Sequence, residues 1–328
     1  MSKADDVVSA RRLVGGPYDK YRGLTPVKYP WARTIWDQML ANTWFPAEVI
    51  LTADAKEYNK LDAGMRLAYD RALAFLANLD SIQLVNLADN IAPLITAPEV
   101  TKCLHRQVFE EQLHVESYST MIESISLDPE LIYFMPTDDP ILEAKNDYIT
   151  KQAELLKTDR SKEAIILAMA ANIILEGIYF FSGFAAFHTF GRAGKVLGSS
   201  NMIKFIQRDE ETHLGLFRAI LRTYCQEEGL HITDFLGPLR ELFDGAATLE
   251  IVWGKHIIEG GVLGLTDQIM EDYIHYLADQ RMVSIGLPVM YGAKNPIPWV
   301  DEYAKINNAE TAFFERRPTD YVKGGFSW

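Results

Sequence analysis

The stretch Gln207-Arg208-Asp209-Glu210-Glu211-Thr212-His213 decides how the rest of the chain is read. It sets Glu210 and His213 three residues apart inside a run with helical character. Positions i and i+3 share a helix face, so both side chains can point at one object. The pattern recurs 99 residues earlier as Glu111-Gln112-Leu113-His114. Two such pairs on two helices point to one thing held between them, a dinuclear metal centre.

A bare Glu-x-x-His is a weak signal, and the chain carries its own controls. Glu228-Gly229-Leu230-His231 matches too, but it contains a glycine and falls at an expected helix end. Asp272-Tyr273-Ile274-His275 is a near-match on an amphipathic helix and reads as surface. The two serious pairs differ in their company. Asp80 lies 31 residues before Glu111, and Glu176 lies 34 residues before Glu210. Each interval spans two helical limbs and a turn, so acid followed by acid-x-x-His occurs twice on antiparallel helix pairs. Ferritin-like dimetal proteins are built this way, with one carboxylate from each of two helices and Glu-x-x-His from each of the other two.

The physical argument stands beside that template. Asp80 and Glu176 sit among apolar neighbours, where an ionised carboxylate is costly unless paired or metal-bound. Four converging carboxylates without cations raise one another's pKa. Four carboxylates and two imidazoles suit iron or manganese rather than zinc, since no thiolate or His-rich tetrahedral set is present.

Composition sets the bounds. The 328 residues suffice for one large domain, and 48% apolar with 23% charged residues is ordinary for a globular protein. A net charge of −13 argues against a nucleic-acid partner, which needs a basic face. The two cysteines, Cys103 and Cys225, have no zinc-type spacing and read as buried thiols in a reducing compartment. No signal peptide and no charge-free stretch of membrane-spanning length is read, so the expected location is the cytoplasm.

Punctuation by glycine and proline predicts an irregular arm over 1–30. Helices are expected over 31–43, 66–92, 98–126, 140–156, 161–190, 201–227, 238–257 and 265–283, with short ones in 52–65 and 299–316. Asp128-Pro129 and the run from Met135 to Pro140 read as loops, apart from Asp139-Pro140 as a helix start. Gly177 and Gly183 mark close packing or a local distortion in the apolar helix of Glu176. With almost no period-two alternation, the expected fold is all-α. It is a ferritin-like helical bundle with additional helices: an arm (1–30), a dimetal domain (31–317) and a mobile C-terminal tail (318–328).

The residues that carry chemistry also carry a resemblance. Leu79-Asp80-Ser81-Ile82-Gln83, the run Phe109 to Tyr118, the run Glu176 to Phe184 and the run Arg208 to His213 resemble the radical-generating small subunit of class I ribonucleotide reductase. The likeness extends from Trp44 to Trp328. It implies that Asp80, Glu111 and His114 ligate one metal and Glu176, Glu210 and His213 the other, with Glu111 and Glu210 bridging. It implies a radical tyrosine at Tyr118, one turn beyond His114, within an apolar shell of Phe180, Phe184 and Ile206. It implies a hydrogen-bonded route through His114, Asp209 and Trp44, a redox tyrosine at Tyr321, and a tail that docks on the large subunit. A carboxylate behind a ligating histidine is expected independently, because it fixes the tautomer.

The function so implied is to react a dimetal cofactor with an oxygen species, generate a stable radical or high-valent oxidant, and pass it to the large, catalytic subunit for ribonucleotide reduction. A homodimer and a flavodoxin-like activator are the other partners implied. No phosphate loop is present, so nucleotide binding belongs to the large subunit. The short ending resembles the subgroup with a manganese–iron cofactor, yet Tyr118 and Asp80 follow the tyrosyl-radical pattern. A dimanganese subgroup keeps the tyrosine as well. Di-iron stands ahead of dimanganese and manganese–iron, and the sequence leaves all three open. Two alternatives share the six ligands: a substrate-oxidising dimetal oxidase and a ferritin-like iron store. The set Trp44, Asp209 and Tyr321 argues against the first, and the extra helices and tail against the second.

Overall fold

The computed structural model describes residues 2–17, 20–22 and 25–304, apart from the Ala153 side chain. In chain order the helices are α1 (Lys3–Ala10), α2 (Pro30–Ala41), α3 (Thr52–Tyr58), α4 (Ala63–Val85), α5 (Pro98–Ile125), α6 (Pro129–Asp138) and α7 (Pro140–Glu154). There follow α8 (Lys162–Ile174), α9 (Phe180–Arg192), α10 (Leu197–Glu228), α11 (Leu236–Ile258), α12 (Asp267–Ser284) and α13 (Trp299–Tyr303). The described residues contain no strand, only two isolated bridges. The all-α, ferritin-like expectation holds.

Four limbs form the central bundle. Helix α4 packs along α5, α9 along α10, α4 against α9, and α5 against α10. Their starts are locally encoded. The Asp62 side chain accepts from the Met65 amide to cap α4, Pro98 occupies the first turn of α5, and Ser161 caps α8. Helix α10 is capped from a distance. The Asp54 carboxylate accepts from the Gly198 amide at 3.0 Å and from the Ser199 amide and hydroxyl at 2.6 and 2.7 Å. That carboxylate meets the positive end of the helix dipole. The helix ends at Gly229, whose φ of +64° is a conformation glycine adopts freely.

The limb from α8 to α9 is joined by a π turn, Leu175–Tyr179, which carries Glu176. A second π turn, Asn86–Ile91, extends α4. The distortion expected at Gly177 is thus a widened turn. It is held from outside by Arg281 on α12, whose Nε donates to the Gly177 carbonyl at 3.0 Å. The span Lys162–Arg192 is long and apolar enough to cross a membrane by length and composition alone, although Glu176 interrupts its apolar run as the sequence expectation has it. Its most apolar window is 94% buried inside the protein, and it serves as the core limb.

Two further expectations change. The arm starts with a helix, because the Ser2 side chain and Asp5 form a reciprocal capping box ahead of the first glycine. Asp128-Pro129 is an N-cap followed by a first-turn proline rather than a loop, and it opens α6. Outside the bundle α11 packs on α7, α8 and α12. A buried pair, Lys145 Nζ to Glu250 Oε2 at 2.5 Å, pins α7 to α11, with the ammonium over the Phe75 ring.

Candidate metal centre

The bundle brings six side chains to its axis, one acid from each of two limbs and an acid–histidine pair from each of the other two. Asp80 comes from α4, Glu111 and His114 from α5, Glu176 from the π turn, and Glu210 and His213 from α10. All six are fully buried. They form two overlapping sets, Asp80–Glu111–His114–Glu210 and Glu111–Glu176–Glu210–His213, with donor atoms in each set within 4.8 Å of one another. Glu111 and Glu210 belong to both.

Both imidazoles turn Nδ1 toward the acids. His114 Nδ1 lies 3.3 Å from Asp80 Oδ1 and 2.9 Å from Glu210 Oε1. His213 Nδ1 lies 2.9 Å from Glu210 Oε2 and 3.3 Å from Glu111 Oε1. The two rings are 6.0 Å apart.

Each Nε2 faces outward onto a carboxylate. His114 Nε2 is 3.4 Å from Asp209 Oδ2, and His213 Nε2 is 3.0 Å from Glu110 Oε2. A proton held on Nε2 by that carboxylate leaves the Nδ1 lone pair for the axis. Asp209 Oδ2 also accepts from Trp44 Nε1 at 2.7 Å, and the Trp44 ring stacks on Phe205. Glu110 Oε1 instead accepts from Arg106 Nε at 2.9 Å, and Arg106 reaches the Thr43 hydroxyl.

The residues fit a pair of divalent ions. Asp80 Oδ2, Glu111 Oε2 and Glu176 Oε2 are buried with no hydrogen-bond partner among the described residues. Buried orphan acceptors of this kind are costly and rare. Without cations the cluster holds protons instead. Burial and then the charge of Glu210 push Glu176 up to about 8. Burial also lifts Asp80 well above the usual carboxylate range. For the two histidines burial works downward, but the facing carboxylates, Glu210 first, win and raise both well above the usual value. Two divalent charges offset four carboxylates, and an oxygen-rich set with one imidazole per ion suits iron or manganese. Both cysteines are free thiols outside this set.

Tyr118 is fully buried one turn beyond His114, and its hydroxyl has no hydrogen-bond partner among the described residues. Burial, then the Asp80 charge, raises its pKa well above the phenol range. Phe180 and Phe184 follow the π turn, buried and stacked with centroids 6.0 Å apart; Ile206 is buried on α10. Tyr321 and the docking tail lie outside the described residues. The controls stay apart from the centre. Glu228 pairs with Arg12 and Lys162, His231 is exposed, and His275 packs on Tyr291.

Two groups of residues went unread in the sequence. Glu110 was legible in principle, since Glu110-Glu111-x-x-His114 and Asp209-Glu210-x-x-His213 repeat one pattern. The other group is a shell of amides around Glu176. Gln107 Nε2 donates to its Oε1 at 2.7 Å, Asn172 Nδ2 at 3.4 Å, and Gln83 at short range. Asn172 lies one helical turn before Glu176, whereas Gln83 and Gln107 come from other helices and carry no spacing signal toward it.

Comparison with known proteins agrees with this geometry. A family model described as "Ribonucleotide reductase, small chain" matches residues 22–296. A ribonucleoside-diphosphate reductase subunit beta from Treponema pallidum is 37% identical over 330 residues, covering 98% of this chain and 94% of that protein. The Chlamydia pneumoniae counterpart is 32% identical, covering 98% and 96%. Among solved structures, the ribonucleotide reductase R2 subunit from Clostridium botulinum superposes with a TM-score of 0.84 at 36% identity, over 90% of this chain and 95% of that one.

Proposed function

The chain belongs to the ribonucleotide reductase small-chain family, and from that premise we propose that it is the radical-generating subunit of a ribonucleoside-diphosphate reductase. In this reading Asp80, Glu111 and His114 hold one metal ion and Glu176, Glu210 and His213 the other, with Glu111 and Glu210 shared. The observation that carries it is the pair of overlapping, fully buried donor sets. When bound, two redox-active ions supply reactivity toward an oxygen species that side chains lack. Iron stands ahead of manganese or a manganese–iron pair.

The chain's own residues do the rest. Tyr118, sealed from water and with no close hydrogen bond, is the residue proposed to store the oxidising equivalent. Phe180 and Phe184 are proposed as its apolar surroundings. Asp209 Oδ2 is shared by His114 and Trp44, so it can take the indole Nε1 proton as an electron leaves Trp44. Tyr321 and residues 318–328 are proposed to carry the equivalent to the large subunit, where the nucleotide is reduced. A homodimer, a cytoplasmic location and a flavodoxin-like activator follow from the same premise. The Trp44–Asp209 hydrogen bond favours this export reading over a self-contained oxidase.

Metal analysis with electron paramagnetic resonance tests the centre. The expected result is two ions per chain and a tyrosyl doublet that disappears in Tyr118→Phe. A multiline metal signal untouched by that substitution overturns storage on Tyr118, and fewer than two ions per chain overturns the centre itself. Tyr321→Phe is expected to keep both metal and radical while losing reductase activity with the large subunit. Retained activity removes Tyr321 from the route.

A further inference from the structure

All six candidate ligands are fully buried, so a hydrated ion needs a way in. We propose that a cavity of about 280 Å³ between the two π turns is the inlet through which a divalent cation reaches Glu176. The inference rests on the proposed metal centre. Asn86 and Asn90, from the π turn that extends α4, line the cavity, as do Asn172 and Leu175 from the other limb. There is room for several water molecules.

The floor of this cavity is one side chain deep. Asn172 lines it, and its Nδ2 is 3.4 Å from Glu176 Oε1. Gln83 also donates to Glu176 Oε1, and its Nε2 lies 2.9 Å from Asn172 Oδ1. From Gln83 a ladder of amides leads outward. Asn86 Nδ2 donates to Gln83 Oε1 at 3.2 Å, and Asn90 Nδ2 to Asn86 Oδ1 at 3.4 Å. Asn90 is 8% exposed, and its Oδ1 has no hydrogen-bond partner among the described residues. A buried, unpartnered amide oxygen in the cavity wall is an acceptor waiting for a donor or a cation.

The chemistry of the ladder selects its cargo. Amides do not titrate, so four in series are a poor acid–base relay for protons. Their oxygens are hard ligands of the kind that coordinate divalent ions. Each also has a donor and an acceptor on one carbon. A half-turn of the terminal amide exchanges the N–H that satisfies Glu176 for an oxygen that can meet a passing cation.

A second cavity on the other side of the π turn of Glu176 is closed toward it by Arg281. It has a volume of about 450 Å³, and its lining carries two guanidiniums, Arg218 and Arg281, beside two carboxylates, Glu211 and Asp301. Arg281 closes on the Gly177 carbonyl, so tightly that a Cβ at Gly177 would come within 2.5 Å of its Nε. At the rim of the proposed inlet stand Glu154 and Lys157, an exposed pair 3.1 Å apart.

The test is the rate at which metal-free, full-length protein takes up Mn²⁺, read as loss of the six-line resonance of the free aqua ion. Val85→Trp fills the inlet from its rim, where Val85 is already 54% exposed and folding is not at stake. It is expected to slow uptake at least tenfold while still reaching two ions per chain. Val283→Trp, on the rim of a different cavity, is expected to load at the unsubstituted rate. Lys157→Ala is expected to speed uptake severalfold and Glu154→Gln to slow it, both effects fading as salt rises beyond about 0.1 M. Loading of Val85→Trp at the unsubstituted rate overturns the inlet, as does slowing of both tryptophan variants alike. An unsubstituted protein that never binds two ions overturns the metal centre, which is a separate outcome.

Discussion

At the scale of single residues, Glu110 is the test of how the outer carboxylates work. Its Oε2 faces His213 Nε2 at 3.0 Å while its Oε1 binds Arg106. Replacing it by glutamine keeps the shape but removes the charge that orients the ring. Glu110→Gln is expected to weaken binding of one of the two ions by about 10–100-fold, the usual cost of such a change behind a ligating histidine. Competitive metal titration checks it, and two unchanged affinities would show that Glu110 serves Arg106 alone. At this scale the sequence is generous with ligands and silent about their surroundings. Glu210 and His213 are legible because a helix fixes which face they share. Asn172 shares a face with Glu176 four residues on, and Gln107 with Glu111, but an amide at that spacing is too common to announce a role; Gln83 reaches Glu176 from another helix, with which it has no phase relation.

Among the elements, the two π turns and their glycine are the instructive case. In an ordinary helix interior Gly→Ala stabilises by up to about 1 kcal/mol. At Gly177 the sign is expected to reverse, since a Cβ there meets Arg281 Nε at 2.5 Å and Leu214 Cδ2 at 2.9 Å. Gly177→Ala is expected to cost about 1–3 kcal/mol, the usual range for overpacking, measured as a lower urea midpoint in metal-free protein. A rise in that midpoint would show that Arg281 moves aside freely. The sequence marks Gly177 as a place of close packing or distortion, but the register of a π turn depends on the neighbours that hold its carbonyls, here Arg281 on α12. For α1 and α6 the cause is local instead. Ser2–Asp5 and Asp128–Pro129 are start signals, and Gly and Pro nearby drew the reading toward loops.

For the whole molecule, the acid cluster sets the relation between metal, pH and stability. In the metal-free protein Asp80 and Glu176 have raised pKa values, Glu176 at about 8. The unfolded chain releases those protons near pH 4, the folded chain only at higher pH. Between about pH 4.5 and 8 the folded state therefore binds more protons, and stability falls as pH rises. The raised histidines act in the same direction above about pH 6.5, where the unfolded chain gives up imidazole protons that the folded chain keeps. Chelated protein is thus expected to melt lower at pH 8 than at pH 6. Metal-loaded protein, with the carboxylates paired to cations, should show a smaller difference, and the stabilisation by metal should grow with pH. Parallel pH profiles for loaded and chelated protein would show that the cluster is not what the ions bind. The bundle that holds this cluster was legible because each half repeats acid, then acid-x-x-His, at helical spacing. The packing of α11 and α12 around it was not, since their sequence says only that they are helices with an apolar face.

The twofold pattern of the bundle also breaks in what each outer carboxylate holds next. Behind His114, Asp209 holds an indole at 2.7 Å with the Arg208 guanidinium 3.8 Å off its other oxygen; behind His213, Glu110 holds a guanidinium at 2.9 Å and no indole hydrogen bond is seen among the described residues. An indole can surrender an electron, whereas a guanidinium has no oxidation state within reach. In electrical terms one terminal of the centre is wired and the other is insulated. If an oxidising equivalent is made at the axis as proposed, then of these two outer carboxylates only the one bound to Trp44 offers it a way outward.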